Sequence, residues 1–177
     1  MKIIPLFLLV LSLVACKKDS NENTTGPTAS PSSNSTAASF KATINGSPFQ
    51  ADSIFAVLNL DTTASFHSRL LGIAGFGISH IVACGFEDTT ISTNIPLGTF
   101  AFSGSTSASF FEYYRIVMPD TLDEYENVDG TFIITSRDQA NQKVSGTFHV
   151  TFFDYVTNDT VKIMNGIFSN VHYSVNY

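Results

Sequence analysis

The chain has 177 residues, 44 % of them hydrophobic and 14 % charged, which is enough apolar material for one core of domain size. Nine Lys and Arg against fifteen Asp and Glu set the net charge at −6. With no basic cluster in the body of the chain, this balance argues against a phosphate-tracking surface and against nucleic acid as a partner.

At the start of the chain, Lys2 precedes an apolar run from Ile3 to Val14, broken only by Pro5 and Ser12. About a dozen apolar residues fall short of the ~20 that a helix needs to cross a bilayer, so residues 1–15 read as a signal peptide and not as a permanent span. Leu13, Val14, Ala15 and Cys16 resemble the lipobox of bacterial lipoproteins, in which cleavage leaves the Cys first and its thiol becomes a diacylglyceryl thioether. That resemblance implies lipidation at Cys16. Two or three acyl chains contribute about 0.8 kcal/mol per buried methylene and hold a protein on a membrane without a transmembrane helix. Loss of Lys2 with the leader takes the side-chain charge of residues 16–177 to −7, so the expected membrane hold is lipid and not electrostatic. Lys17, where Asp would mark inner-membrane retention, resembles the outer-membrane class. Lys18 and Asp19 match, and Ser20 and Asn21 depart from, the surface-export stretch of Bacteroidetes lipoproteins.

Residues 16–38 carry no aromatic side chain and nothing aliphatic larger than Ala beyond Cys16, so they cannot bury enough surface to fold. They read as a flexible tether with a root-mean-square reach of roughly 25 Å. With Cys16 acylated, Cys84 is the remaining thiol and no internal disulfide can form. Its setting between Ile81 and Phe86 marks it as a small core side chain.

Residues 39–177 form the expected single domain, all-β in pattern. Short stretches rich in Phe, Ile, Val and Thr are punctuated by Gly, Asn and Asp. Phe40, Ala42 and Ile44 alternate with Lys41 and Thr43, and Asn45-Gly46 supplies a tight turn before Phe49 and Ala51. Further strands are predicted over 54–60, 68–76, 80–86, 89–95, 98–102 and 109–118. Thr131–Ser136 and Lys143–Phe153 flank a polar loop. On the second of these, Phe148, Val150 and Phe152 take one face and Thr147, His149 and Thr151 the other. Val161–Met164, Asn165-Gly166 and Ile167–Val175 predict a last hairpin, with Val171, Tyr173, Val175 and Tyr177 on one face. No window carries a helical period with caps. About ten strands predict an antiparallel β-sandwich, with a closed or partly closed β-barrel as the alternative.

The stretches Phe40–Ala51, Gly130–Asp138 with Val144–Phe148, and Met164–Val171 stand in an order that, with the lipobox, resembles uncharacterised Bacteroidetes lipoproteins of the DUF6252 kind. The resemblance runs from Phe40 to the end, is firmest after Gly130, and finds nothing to place over residues 54–128. Its matching positions are turn Gly and Asn and core Phe and Ile. It therefore implies a fold and a compartment and brings no catalytic or binding residue with it.

No zincin, P-loop, nucleophile-elbow or paired-Cys motif occurs, so no cofactor is expected. Gly72, Gly75 and Gly77 lack the following helix that phosphate binding needs and predict a bend or bulge. His67, His80, His149 and His172 are not at metal-ligand spacing, and His149 and His172 read as outward strand positions. The acidic stretch Asp120, Asp123, Glu124, Glu126 and Asp129 offers oxygen ligands for calcium but not in calcium-loop spacing, and reads first as a solvated connection. Ser53, Thr62, Thr89, Thr121 and Thr160 each follow an Asp in triplets that resemble the Bacteroidetes O-glycosylation sequon. Asp before Thr is equally at home where a turn enters a strand.

The leading expectation is an outer-membrane, lipid-anchored, monomeric, non-catalytic binding or structural module, with any contacts to protein or small molecule made through strand-end loops. A carrier with a Phe-lined cavity and a hydrolase assembled around a Ser and His149 or His172 are the alternatives. A carbohydrate role is disfavoured by the absence of Trp, which leaves Tyr113, Tyr114 and Tyr125 near one loop.

Overall fold

The computed structural model describes residues 37–62, 67–102, 108–117, 121–155 and 157–177. Cys16, the leader and nearly all of the tether lie outside the described residues. The elements, in chain order, are β1 (Ser39–Ile44), β2 (Ser47–Gln50), β3 (Ser53–Asp61), β4 (Ser68–Phe76), β5 (His80–Asp88), β6 (Gly98–Phe102), β7 (Ser109–Val117), β8 (Thr121–Glu124), β9 (Glu126–Asp138), β10 (Lys143–Asp154), β11 (Asp159–His172) and β12 (Ser174–Asn176).

They form two six-stranded sheets in the orders β2-β1-β11-β10-β9-β6 and β12-β3-β4-β5-β7-β8. The sandwich expectation holds. The barrel alternative does not: β2 and β6 end one sheet and β12 and β8 the other, so neither sheet closes. Every pairing is antiparallel except β12 with β3, where Val175 lies beside Leu58 in parallel register. The chain thus leaves the first sheet at His172 and enters the second at Ser174, with the buried Tyr173 as the single residue between them.

The core forms as period-two alternation requires. Phe148, Val150 and Phe152 are buried, while His149 is exposed and Thr147 and Thr151 are half-buried on the outer face. From the opposite sheet Leu58, Leu71, Ile73, Val82, Cys84 and Phe86 meet them in one cluster. Aromatic rings span the layers: Phe86 stacks on Phe100 at 4.6 Å and Tyr113 packs on Phe152 at 5.7 Å. Cys84 is fully buried, and that burial pushes its thiol well above the usual range, as an inert core residue requires.

Four local expectations are corrected. Asn165-Gly166 closes no hairpin, because β11 runs straight through it. Lys41 faces Ile167 and Thr43 faces Met164, so two residues oppose Ala42 and the left-handed Asn165 (φ 53°) makes a bulge. Residues 89–95 form no strand, because the amide of Thr90 donates to the Asp88 carboxylate (2.9 Å) and the carbonyls that follow are taken by arginine side chains. The acidic stretch is no plain connection, since β8 lies within it and pairs with β7. Gly72 and Gly75 mark neither bend nor bulge, because both cross-strand registers pass through them unbroken. Gly75 instead leaves room for the Phe40 ring, whose Cδ1 would lie 2.5 Å from an added Cβ.

Candidate functional site

A groove of about 520 Å³ opens where the β9–β10 loop meets the crossover from β11 to β12. Gln139 and Gln142 come from the loop, Thr93 from the segment between β5 and β6, and His172, Ser174 and Tyr177 from the crossover and beyond. Each wall is fixed. Asp138 accepts from the backbone (3.1 Å) and side-chain (2.7 Å) nitrogens of Asn141, two bonds that hold its carboxyl below the usual range and shape the loop. Gln142 adopts φ 50°, and its carbonyl accepts from the Tyr173 amide at 2.9 Å. The Gln139 amide nitrogen donates to Thr93 Oγ1 at 3.3 Å. Thr93 itself lies between clamped carbonyls: Arg69 Nη1 donates to those of Ser92 (3.3 Å) and Asn94 (2.6 Å), and Arg137 Nη1 to that of Ile95.

Burial raises the phenol of Tyr173 above its usual range, with the nearby Arg137 and Asp138 acting in opposite directions. The Asn176 amide donates to Asn59 Oδ1 at 2.9 Å and ties the last strand down.

A second polar cluster sits under β2. Tyr113 Oη and His80 Nδ1 are 2.9 Å apart, the two rings stack, and the Phe49 ring meets His80 edge-on. Burial first, and the Arg115 charge second, hold the His80 imidazole below its usual pKa of 6.5. A depressed imidazole stabilises the fold fully above about pH 6.5 and loses that contribution as pH falls through the folded value, because the unfolded chain then binds the proton more readily. Thermal melts at pH 7.5 and pH 5 should therefore differ less in His80→Gln than in the parent. An identical difference would show that His80 does not contribute.

A second shallow groove crosses the outer face of the first sheet, where Lys162, Thr151 and Asp129 lie in one cross-strand row beside His149 and Met164.

The residues singled out from sequence scatter. Ser53, Thr62, Thr89 and Thr160 are exposed at strand ends, and Thr121 opens β8. Asp88, before Thr89, is a partner of Arg69, and Asp159 accepts from the Thr160 amide at 2.8 Å, so these two carboxylates have structural work. Asp120 lies outside the described residues, Asp123 and Glu124 are on β8, and Glu126 and Asp129 are exposed on β9. Among the described residues no group of three or more His, Cys, Asp or Glu could hold a metal ion. Ser174 and His172 line one groove, but no hydrogen bond joins them. His149 is on the outer face of the other sheet. Tyr113, Tyr114 and Tyr125 are buried and offer no platform.

Sequence reasoning missed the Arg69–Asp88 pair and the groove. The signal for the pair was present: Arg69 shares the inward parity of Leu71 and Ile73, and Asp88 that of Phe86. The groove had no local signal, because its walls are brought together by the crossover.

An all-β sandwich of two six-stranded sheets with an open groove of mixed polar and apolar lining at one end is the class that fold and site define. The family described as a domain of unknown function, DUF6252, matches residues 77–172, and the chain belongs to it. The match opens at the turn before β5 and closes with β11. It therefore takes in residues 77–128, where the sequence alone shows no resemblance, and leaves Phe40–Ala51 outside. No curated protein and no solved structure matches the chain.

Proposed function

We propose that this protein is a lipid-anchored module of a bacterial outer membrane, fastened through Cys16 and a flexible tether, whose sandwich domain binds a ligand without transforming it. The observation that carries the reading is the Leu13-Val14-Ala15-Cys16 stretch at the end of a basic and then apolar leader, followed by a polar segment with nothing to fold around. The open groove at the loop end, with no Lys, Arg, Asp or Glu side chain in its lining, supports binding. Scaffold-held loops are where contacts of this kind are made. The carrier alternative loses its premise, because the sheets do not close and Phe40, Phe132, Phe152 and Phe168 fill the space between them.

Palmitate labelling in the native host tests the anchor. The wild-type chain is expected to take up label and to sediment with membranes, and Cys16→Ser to lose both. A wild-type chain that stays unlabelled, beside a labelled lipoprotein of the same cells, would refute it.

A further inference from the structure

The groove formed by Gln139, Gln142, His172, Ser174 and Tyr177 is, we propose, a binding site for a neutral carbohydrate. The proposal rests on the reading of the domain as a binding module and supplies its ligand class.

The argument is one of matching chemistry. A sugar ring presents an apolar C–H face and a girdle of hydroxyls, each both donor and acceptor. Amide side chains likewise offer donor and acceptor on one planar group, and hydroxyls do so on one atom. The groove brings together two amides (Gln139, Gln142), two hydroxyls (Thr93, Ser174) and an imidazole (His172). At its rim Tyr177 is 87 % exposed and offers a C–H face the aromatic surface that Tyr113, Tyr114 and Tyr125 do not provide, so the absence of Trp does not disfavour a carbohydrate at this groove.

No Lys, Arg, Asp or Glu side chain lines it, so a phosphate or carboxylate would find no cationic side chain of these types to pair with. A purely apolar ligand would leave the Gln142, His172 and Ser174 side chains without hydrogen-bond partners. An extended peptide is held mainly by main-chain hydrogen bonds along a sheet edge, whereas the donors and acceptors gathered here are the side chains of Gln139, Gln142, His172 and Ser174. The side chains of Gln142, His172 and Ser174 have no hydrogen-bond partner among the described residues, so they are ready to exchange water for ligand hydroxyls.

The frame is preorganised, which limits the ordering cost on binding. The Tyr173 amide bonds the Gln142 carbonyl, Gln139 is held by Thr93, and the parallel pairing of Asn176 with Asn59 fixes the backbone leading to Tyr177. The volume of about 520 Å³ falls within the ~300 to 1,000 Å³ of small-molecule sites. Its open shape suits part of a longer glycan.

The test is a ¹⁵N chemical-shift titration of the full chain in detergent micelles with cellobiose, maltose and chitobiose, and with tetra-alanine and inorganic phosphate as contrasting probes. At least one disaccharide is expected to give saturable shifts at Gln139, Gln142, His172 and Tyr177, with a Kd of about 1 mM, as a handful of neutral contacts would give. Tyr177→Ala should weaken that binding about tenfold. So should Gln142→Gly, which removes the amide while suiting the positive φ. Both should leave the melting temperature unchanged.

No saturable disaccharide response, shifts confined to another face, or a saturable groove response to the peptide or phosphate alone would overturn the proposal. Failures of site and module separate cleanly. Release of monosaccharide during the titration would overturn the non-catalytic reading and leave the site standing. Groove binding by a chain that takes up no palmitate would overturn the anchor alone.

Discussion

Asp88→Ala is expected to lower the melting temperature by roughly 10 to 20 °C. Arg69 is 4 % exposed, on the core-facing side of β4, and its Nε and Nη2 reach the two oxygens of Asp88. Its Nη1 takes the carbonyls of Ser92 and Asn94, and its guanidinium carbon lies 5.4 Å from the Phe86 ring centroid. Asp88, 30 % exposed, is the only anion paired with it among the described residues. Removing one partner of a buried pair leaves an uncompensated charge, at a cost of about 3 to 5 kcal/mol. For a domain of this size each kcal/mol corresponds to roughly 3 or 4 °C.

Arg69→Met combined with Asp88→Leu should recover much of the loss, because the cost lies in the stranded charge more than in the missing contact. A drop below about 3 °C in Asp88→Ala, read by thermal melts, would mean that water reaches the guanidinium. The same arginine clamps the carbonyls on either side of Thr93. Asp88→Ala therefore loosens one wall of the groove, and its disaccharide affinity should fall in the temperature range where the domain still folds.

The second large effect is expected at Gly146. A Cβ there would lie 2.0 Å from the carbonyl oxygen of Ile133 and 2.4 Å from the Phe168 ring. The crowding has a cause in the register. Ser145 pairs with Ser136 and Gly146 with Ile134, so Thr135 is an extra residue that bulges β9 against β10. Backbone in the middle of a sheet cannot retreat as the end of a side chain can. Gly146→Ala should cost about 4 kcal/mol or more, or abolish folding. Gly46 is the matched control. It has φ 83° and nothing within 4 Å of an added Cβ, so Gly46→Asn, which tolerates left-handed backbone, should cost less than about 1 kcal/mol. Urea unfolding of the two variants side by side separates space from conformation. Equal losses would refute the assignment.

The contrast between two Asn-Gly pairs shows how far local sequence could be read. Asn45-Gly46 closes the β1–β2 hairpin as its residues predict. Asn165-Gly166, with the same left-handed Asn, sits in mid-strand, because β1 on one side and β10 on the other continue the ladder past it. Those partners are remote in the chain. The Met164 carbonyl accepts from Thr43 Oγ1 across 121 positions. The strands with clean alternation, β1 and β10, were legible because one face is buried along their length, and β4 and β5 because they are short, nearly continuous buried runs. Residues 89–95 carried β-branched side chains and misled, since Arg69 and Arg137 capture their carbonyls. The groove was illegible for the same reason as the bulge. Tyr177 continues the alternation of Val171, Tyr173 and Val175, yet after the crossover it stands open to solvent while Tyr173 is buried.

The pairing of β1 with β11 and of β12 with β3 also bears on when this polypeptide can acquire its shape during synthesis. Both sheets need residues beyond Asp159 to complete them, one for a central strand and the other for an edge. Closing loops that long is slow, because the entropy is lost before the distant contacts repay it. A nascent chain thus completes neither sheet until nearly all of it has been made, which would suit the passage through a translocation channel that the proposed anchoring requires.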